Sequence, residues 1–397
     1  MMKVLFINET CGRGSHGRIC TDIADIITEN GGQCKIGYGR DTVPDNYQKY
    51  AIRIGNSFDI YIHVLGSRVF DNTGFYSAGA TKEFIHKVEE FNPDIIHLHN
   101  LHGYYINIKL LFEYFKTCGK PIIWTLHDCW PFTGHCTCSD YIGCDKWKTG
   151  CFRCPQKTNY PTCNLVDNSR GNFKKKKELF TKIPNLYIVT PSIWLKGQVE
   201  ASFLYEYPVR VIESGIDLRT FKPSQGNFRG KYHLENKTVL LSVANAWSDR
   251  KGLAEYYKLS EMLDDSYQLV MVGNLRGEAL PQNTLHIEHT NNQQELAEIY
   301  TESDVYLNFS CEETQGLTTV EALACGTPVL VIDRTAIAEC VNDSCGVVLK
   351  AFDEHTMLDD INTAKYKEKE ACLAQAAKYE KGICFEKYIA FYEELVK

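Results

Sequence analysis

Three things are missing from this chain of 397 residues. No apolar run approaches the roughly 18 residues needed to span a bilayer, so no transmembrane helix is expected. The first residues, MMKVLFINE, turn polar too early for a signal peptide and read as a strand. Positive charge is not in excess: 43 Lys and Arg stand against 50 Asp and Glu, for a net charge of −7. That argues against a general nucleic-acid binder, and no nucleic-acid partner is expected. Cysteine is plentiful, at 17. Without an export signal these are expected as reduced thiols in a cytoplasm. The apolar share (44%) and charged share (23%) are those of an ordinary globular protein. The length points to two domains or more.

What is present is an alternation of strands and helices. In the first half, strands are predicted at 3–9, 34–39, 95–99, 121–128, 186–192 and 209–214, with helices at 18–29, 81–90, 106–117 and 172–182. In the second half, strands are predicted at 237–245, 267–274, 304–310, 328–333 and 345–350. Helices follow at 251–263, 292–301 and 317–324, with a last amphipathic one at 383–396. Alternation at these lengths predicts α/β architecture with parallel sheets, in two doubly wound, Rossmann-like domains. Such domains bind ligands at the carboxyl ends of their strands.

The segment 311–330, CEETQGLTTVEALACGTPVL, carries the most chemistry. The loop ends at Gly316 and a helix begins at Leu317. The first backbone N–H groups of that helix have no intrahelical partner, and they form a ready anion site. Glu313 lies in the loop, and Glu321 lies one turn beyond Leu317 on the same helix face. Two acceptor-only carboxylates flanking an anion site suit a ligand with hydroxyls on both sides of a phosphate, such as a nucleotide sugar.

This pattern of Glu313, Gly316, Glu321, Ala322, Gly326, Pro328 and Val329 resembles the E-x7-E motif of retaining GT-B glycosyltransferases of family 4. The resemblance implies that Glu313 contacts the hydroxyls of the donor sugar and that Glu321 binds the ribose. The N–H groups at Leu317 and Thr318 would hold the diphosphate. It implies a GT-B fold, with an acceptor-side domain at 1–213, a nucleotide-sugar domain at 214–380, and a final helix at 381–397 packing back on the first. Residues 214–217 (SGID) resemble the family's interdomain turn.

Arg250, Lys251 and Gly252 follow a strand and open a helix. A departing diphosphate gathers charge, and without a metal it is stabilised by guanidinium and ammonium groups. Lys251 matches the family's Lys-Gly. The family's Arg often lies several residues earlier, where this chain has Asn245 and Ala246, and Arg250 stands in for it. His127 ends the strand 121–128, and by resemblance it lies against the donor sugar on the acceptor side. The loop at 12–17 fits G-x-G-x-x-G, with Asp41 after the second strand. Taken alone it suggests an NAD(P)-dependent oxidoreductase. The family carries a Gly-rich loop at the same place, so Gly14 and Gly17 are expected to face phosphate and acceptor instead. His97, His99 and His102 lack an acidic partner in sequence and are expected in a cleft-lining loop rather than a metal site.

Residues 129–163 hold Cys136, Cys138, Cys144, Cys151 and Cys154 within nineteen positions. Four thiolates at such spacings suit tetrahedral zinc, with Cys136, Cys144, Cys151 and Cys154 as the set and Cys138 spare. A long loop poor in periodicity would gain from such a staple; simple buried thiols are the alternative. A similar insert occurs in a subgroup of bacterial family 4 enzymes that look like polysaccharide-assembly transferases. The four lysines at 174–177 read as a solvated face or as a contact with an anionic membrane surface presenting a lipid-linked acceptor.

The expectation is therefore a cytoplasmic, retaining, hexosyltransferase-like enzyme, with a peripheral membrane contact as the other reading of its location. It would take a nucleoside diphosphate sugar as donor, need no cofactor for catalysis, and transfer to a glycan or lipid-linked hydroxyl in surface polysaccharide biosynthesis. Retention without a protein nucleophile implies same-face attack, with the departing phosphate taking the acceptor's proton.

Overall fold

Thirteen strands form, and every one pairs in parallel with its sheet neighbours. The computed structural model describes all 397 residues. The first unit comprises Met1–Ile212 and Phe385–Lys397, and the second comprises Glu213–Cys384.

The first unit holds β1 (Lys3–Ile7), β2 (Gln33–Tyr38), β3 (Ala51–Arg53), β4 (Ile95–Leu98), β5 (Ile122–Thr125), β6 (Leu186–Thr190) and β7 (Val209–Val211), in sheet order β3-β2-β1-β4-β5-β6-β7. The second holds β8 (Thr238–Ala246), β9 (Tyr267–Asn274), β10 (Thr284–Ile287), β11 (Val305–Asn308), β12 (Val329–Ile332) and β13 (Gly346–Leu349), in order β10-β9-β8-β11-β12-β13. Central strands such as IIHL, IIWT and VLVI are buried along their whole length, because helices cover both faces of the sheet. In each sheet the chain winds outward on one side and then returns to the other, beside β1 in the first unit and beside β8 in the second. The loops after those neighbouring strands diverge, which leaves a crevice at their carboxyl ends.

In the first unit, the Phe112 and Phe180 rings stand 4.3 Å apart and Trp124 meets Phe180 at 5.0 Å. Such pairs add about 0.5–1.5 kcal/mol each beyond the area they bury. The final helix, Lys381–Val396, sends the Tyr392 hydroxyl to His97 Nδ1 at 2.6 Å and the Tyr388 hydroxyl to Thr125 Oγ1 at 3.1 Å. In the second unit, Val320 and Leu323 of the helix Leu317–Ala324 belong to one buried cluster with Tyr300 and Tyr306.

Seven elements escape the sequence pattern: β3, β10 and the helices Ser57–Phe70, Ile193–Glu200, Phe228–Tyr232, Met357–Lys365 and Lys369–Ala376. β3 and β10 are short sheet edges, partly exposed along their length. The helix Ser57–Phe70 starts at a capping box formed by Asn56 and Asp59, but it buries His63, Gly66 and Ser67 while Phe58, Tyr61 and Leu65 lie exposed. Its apolar stripe therefore faces away from the core. One further expectation is corrected. In the helix Ser169–Phe180, Lys174, Lys175 and Lys177 are exposed but Lys176 is buried, so the four lysines are not one solvated face.

Candidate functional site

In the second unit the site is built from two loops at the ends of β8 and β11. After β8, a short 3-10 turn, Asp249–Lys251, leads through Gly252 into the helix Leu253–Met262. Gly252 has φ of +75°, and a Cβ there would stand 2.2 Å from the Phe309 carbonyl oxygen, so glycine alone fits. This close approach joins the two loops. Cys311 N–H donates to the Arg250 carbonyl at 2.8 Å, and Arg250 Nη1 donates to the Glu312 carbonyl at 2.9 Å. Arg250 thus anchors the loop backbone.

Lys251 Nζ reaches across 62 positions of sequence to form a tight ion pair with Glu313 Oε1. The two side chains are 17% and 19% exposed. Burial alone would raise the Glu313 carboxyl, but Lys251, and then Arg250, outweigh it and hold it below the usual range. Glu313 is oriented from behind, since its N–H donates to Thr335 Oγ1 at 2.9 Å.

The helix Leu317–Ala324 begins after Gly316, at φ of +82° and with no side-chain cap. The N–H groups of Leu317 and Thr318 are left for a ligand or water. The Tyr306 hydroxyl holds Thr318 Oγ1 at 2.7 Å, and Asn308 Nδ2 holds Thr319 Oγ1 at 3.0 Å, which ties the helix start to β11. The Tyr300 hydroxyl donates to Glu321 Oε2 at 3.1 Å. The structure thus brings Arg250, Lys251, Glu313, Gly316, Leu317, Thr318 and Glu321 onto one pair of loops and one helix. Thr335 and Tyr306 were not read from the sequence, because nothing local marks a threonine or tyrosine for this task.

In the first unit, the loop between β1 and the helix Gly14–Glu29 contains Gly12 and Gly14, with φ of +71° and +65°. It closes through Gly12 N–H to the Gly17 carbonyl at 3.1 Å. A Cβ on Gly17 would stand 2.6 Å from Thr10 Oγ1. Beside this loop, the His16 ring stacks on His127 with centroids 4.1 Å apart, and His99 Nδ1 lies 2.9 Å from His127 Nε2. Asn100 Nδ2 holds His16 Nδ1 at 2.7 Å. Burial pushes His127 and His99 well below the ordinary histidine range and His16 down to about 4, so all three are neutral near pH 7. A neutral His127 offers a hydrogen bond, not a positive charge.

His102 does find an acidic partner: its Nε2 lies 2.7 Å from Asp128 Oδ2 and its Nδ1 lies 3.0 Å from the Tyr160 hydroxyl. Burial would lower His102, but Asp128 raises it overall. The expectation that these histidines line a loop is corrected for His97, which is wholly buried between Tyr392 and Thr125. Asp41 stands in a surface pocket with Arg13, Arg40 and Arg53.

Cys136, Cys144, Cys151 and Cys154 all border one small cavity, while Cys138 does not. As the side chains stand, no three His, Cys, Asp or Glu groups already converge closely enough to hold a metal ion.

Comparison with known proteins bears on this geometry. Residues 224–390 match the family model "Glycosyl transferases group 1", which spans both loops of the second unit's site. A protein described as a colanic acid biosynthesis glycosyl transferase, WcaC of Escherichia coli (strain K12), is 26% identical over 323 residues, covering 76% of this chain and 77% of that one. An N,N'-diacetylbacillosaminyl-diphospho-undecaprenol alpha-1,3-N-acetylgalactosaminyltransferase of Campylobacter jejuni subsp. jejuni is 24% identical over 216 residues, covering 49% of this chain and 56% of that one. Among solved structures, Anabaena Alr3699/HepE in complex with UDP and glucose superposes with a TM-score of 0.66 at 15% identity, covering 100% of both chains. Together these support a GT-B glycosyltransferase. The region that matches this family model contains Arg250, Lys251, Glu313 and the helix Leu317–Ala324. No helix of the chain is long and apolar enough to cross a membrane.

Proposed function

We propose that this chain is a retaining, hexosyltransferase-like enzyme of family 4, moving a sugar from a nucleoside diphosphate sugar to a hydroxyl of a glycan or lipid-linked acceptor in surface polysaccharide assembly. The observation that carries this reading is the Lys251–Glu313 pair set beside the uncapped helix start at Leu317 and Thr318. The helix N–H groups bind the diphosphate, and Lys251 exchanges part of its bond with Glu313 for a phosphate oxygen. Glu313, kept ionised, accepts hydrogen bonds from sugar hydroxyls, and Glu321 accepts those of the ribose. Arg250 stabilises the loop and adds positive charge.

In the reaction, the bond between the sugar's anomeric carbon and the phosphate oxygen breaks, and a bond to the acceptor oxygen forms on the same face. The acceptor's proton passes to the departing phosphate. His127, with Gly14 and Gly17, serves the acceptor side, where a neutral imidazole hydrogen-bonds a sugar hydroxyl. The relatives support the acceptor class: one is named for colanic acid biosynthesis and another acts on a diphospho-undecaprenol. The enzyme would work in the cytoplasm, at the membrane face where such acceptors are presented, and Lys174, Lys175 and Lys177 are exposed to meet anionic lipid.

The test is a thermal-shift screen against UDP-, GDP- and ADP-sugars with NAD(P)H as control, followed by NMR of the transferred sugar's anomeric configuration. Stabilisation by one nucleotide-sugar class and a retained configuration are expected. Stabilisation by NAD(P)H alone would return the reading to an oxidoreductase using the loop at 12–17.

A further inference from the structure

The segment 129–168 has no strand and no α-helix, only three short 3-10 turns at Trp130–Phe132, Asp140–Ile142 and Lys146–Lys148. Yet Trp130, Phe132 and Trp147 within it are buried. A stretch this long, without regular hydrogen bonding, needs another source of order. The four cysteines Cys136, Cys144, Cys151 and Cys154 lie in the irregular stretches between and after these turns and border one cavity of about 10 Å³, room for roughly one water-sized particle.

The sulfurs are already engaged with one another and with backbone N–H groups. Cys136 lies within hydrogen-bonding reach of Cys154. Gly134 N–H points at Cys151 Sγ at 3.2 Å, and the backbone of Gln156 approaches Cys154.

A second observation concerns charge. Lys176 is buried, with its ammonium donating to the Trp130 and Thr133 carbonyls at 2.7 and 3.2 Å and lying 3.4 Å from the centre of the Trp130 ring. No carboxylate stands within ion-pair distance of it, and Cys151, Asp71, Cys136 and Asp128, in that order, are close enough to act on it electrostatically. A buried ammonium needs negative charge nearby. Zinc held by four thiolates carries a net charge of about −2, which this cation would offset. At the cavity wall, His135 donates through Nδ1 to Asp71 Oδ1 at 2.6 Å. Its buried Nε2 makes no well-aligned hydrogen bond, although the Asn159 backbone lies nearby.

We propose that Cys136, Cys144, Cys151 and Cys154 bind one structural zinc ion as four thiolates, with Lys176 as the buried counter-charge and Cys138 outside the set. Tetrahedral binding brings the sulfurs to about 3.8 Å from one another, as Zn–S bonds of about 2.3 Å require. The four groups do not yet converge in this way. Neutral thiols gain nothing by converging, whereas binding an ion in the shared cavity offsets the cost of the side-chain rotations that bring them together. The ion has no open position and no part in sugar transfer.

The test uses the full chain, purified without added metal under reducing conditions. Elemental analysis is expected to find about one zinc per chain, released as a thiol-modifying reagent consumes four cysteines. Replacement by cobalt is expected to give the visible bands of a tetrahedral tetrathiolate site. Cys138→Ser keeps the full equivalent, and Cys144→Ser falls to under about a tenth of it. The cobalt spectrum of the unmutated chain reads the ligand set even where a cysteine variant fails to fold. Less than about a tenth of an equivalent, both as purified and after incubation with zinc, would overturn the proposal. So would iron in place of zinc, a Cys136–Cys154 disulfide in the folded chain, or equal loss of metal in Cys138→Ser.

Discussion

At the scale of single residues, the proposed chemistry turns on Lys251 and Glu313. Both are largely buried, and each neutralises the other. Glu313→Ala is expected to abolish transfer while circular dichroism shows the fold intact; turnover at the unmutated rate would remove Glu313 from the reaction. Lys251→Ala should weaken nucleotide diphosphate binding by about 10–150-fold in calorimetry, as the loss of a charge-assisted hydrogen bond of about 1.5–3 kcal/mol implies. Unchanged affinity would clear Lys251 of contact with the phosphates. Because each residue holds the other, the double variant should lose less than the sum of the two, and strict additivity would mean that the pair is not coupled. Glu313, Glu321 and Lys251 were legible in the sequence because their spacing from glycines and strand ends is local. That Lys251 bonds Glu313 itself was not, since 62 residues separate them.

At the scale of elements, two glycines with similar backbone angles have different reasons to be there. Gly316 has φ of +82° but open space around its missing Cβ, with the nearest atom 3.6 Å away. Gly316→Ala should therefore cost only the left-handed strain, about 1–2 kcal/mol, and show itself as a raised donor KM through a shifted helix start. Gly252→Ala would drive its Cβ onto the Phe309 carbonyl, a backbone atom that cannot step aside. It should lower Tm well beyond the Gly316 variant. Equal Tm losses in the two would show that the junction of the two loops is softer than this packing implies. The helix Leu317–Ala324 could be placed to the residue from its motif. The helix Ser57–Phe70 could not be found from apolar periodicity, because its large apolar side chains point away from the core.

At the scale of the whole molecule, histidine burial predicts acid sensitivity. His16, His63, His97, His99 and His127 are all pushed below their ordinary range, with burial as the first cause. Below about pH 6.5 the unfolded chain takes up protons that these folded histidines refuse, so each costs about 1.4 kcal/mol of stability per pH unit. His102 and His135 are raised by Asp128 and Asp71 despite burial. Their stabilisation is fully present below about 6.5 and is lost only as pH rises through their folded values, so they add no slope in the acid window. Tm should therefore fall steeply from pH 7 to 5. A flat or rising Tm over that interval would mean that these histidines are not held neutral.

The amino-acid sequence by itself determined the alternation of strands and helices, the two parallel sheets, and the uncapped helix start at Leu317 with its flanking carboxylates. Each of these follows from apolar period, turn residues and short spacing, which act within a few positions along the chain. The tertiary structure decided the rest. It set Lys251 against Glu313, stacked His16 on His127, put the Lys176 ammonium within electrostatic reach of Cys151, Asp71, Cys136 and Asp128, and gathered four cysteines of an irregular segment on one cavity. Those neighbours are fixed by the order of strands in a sheet and by which groups must leave water together, and neither is written in the spacing of residues along one strand or helix.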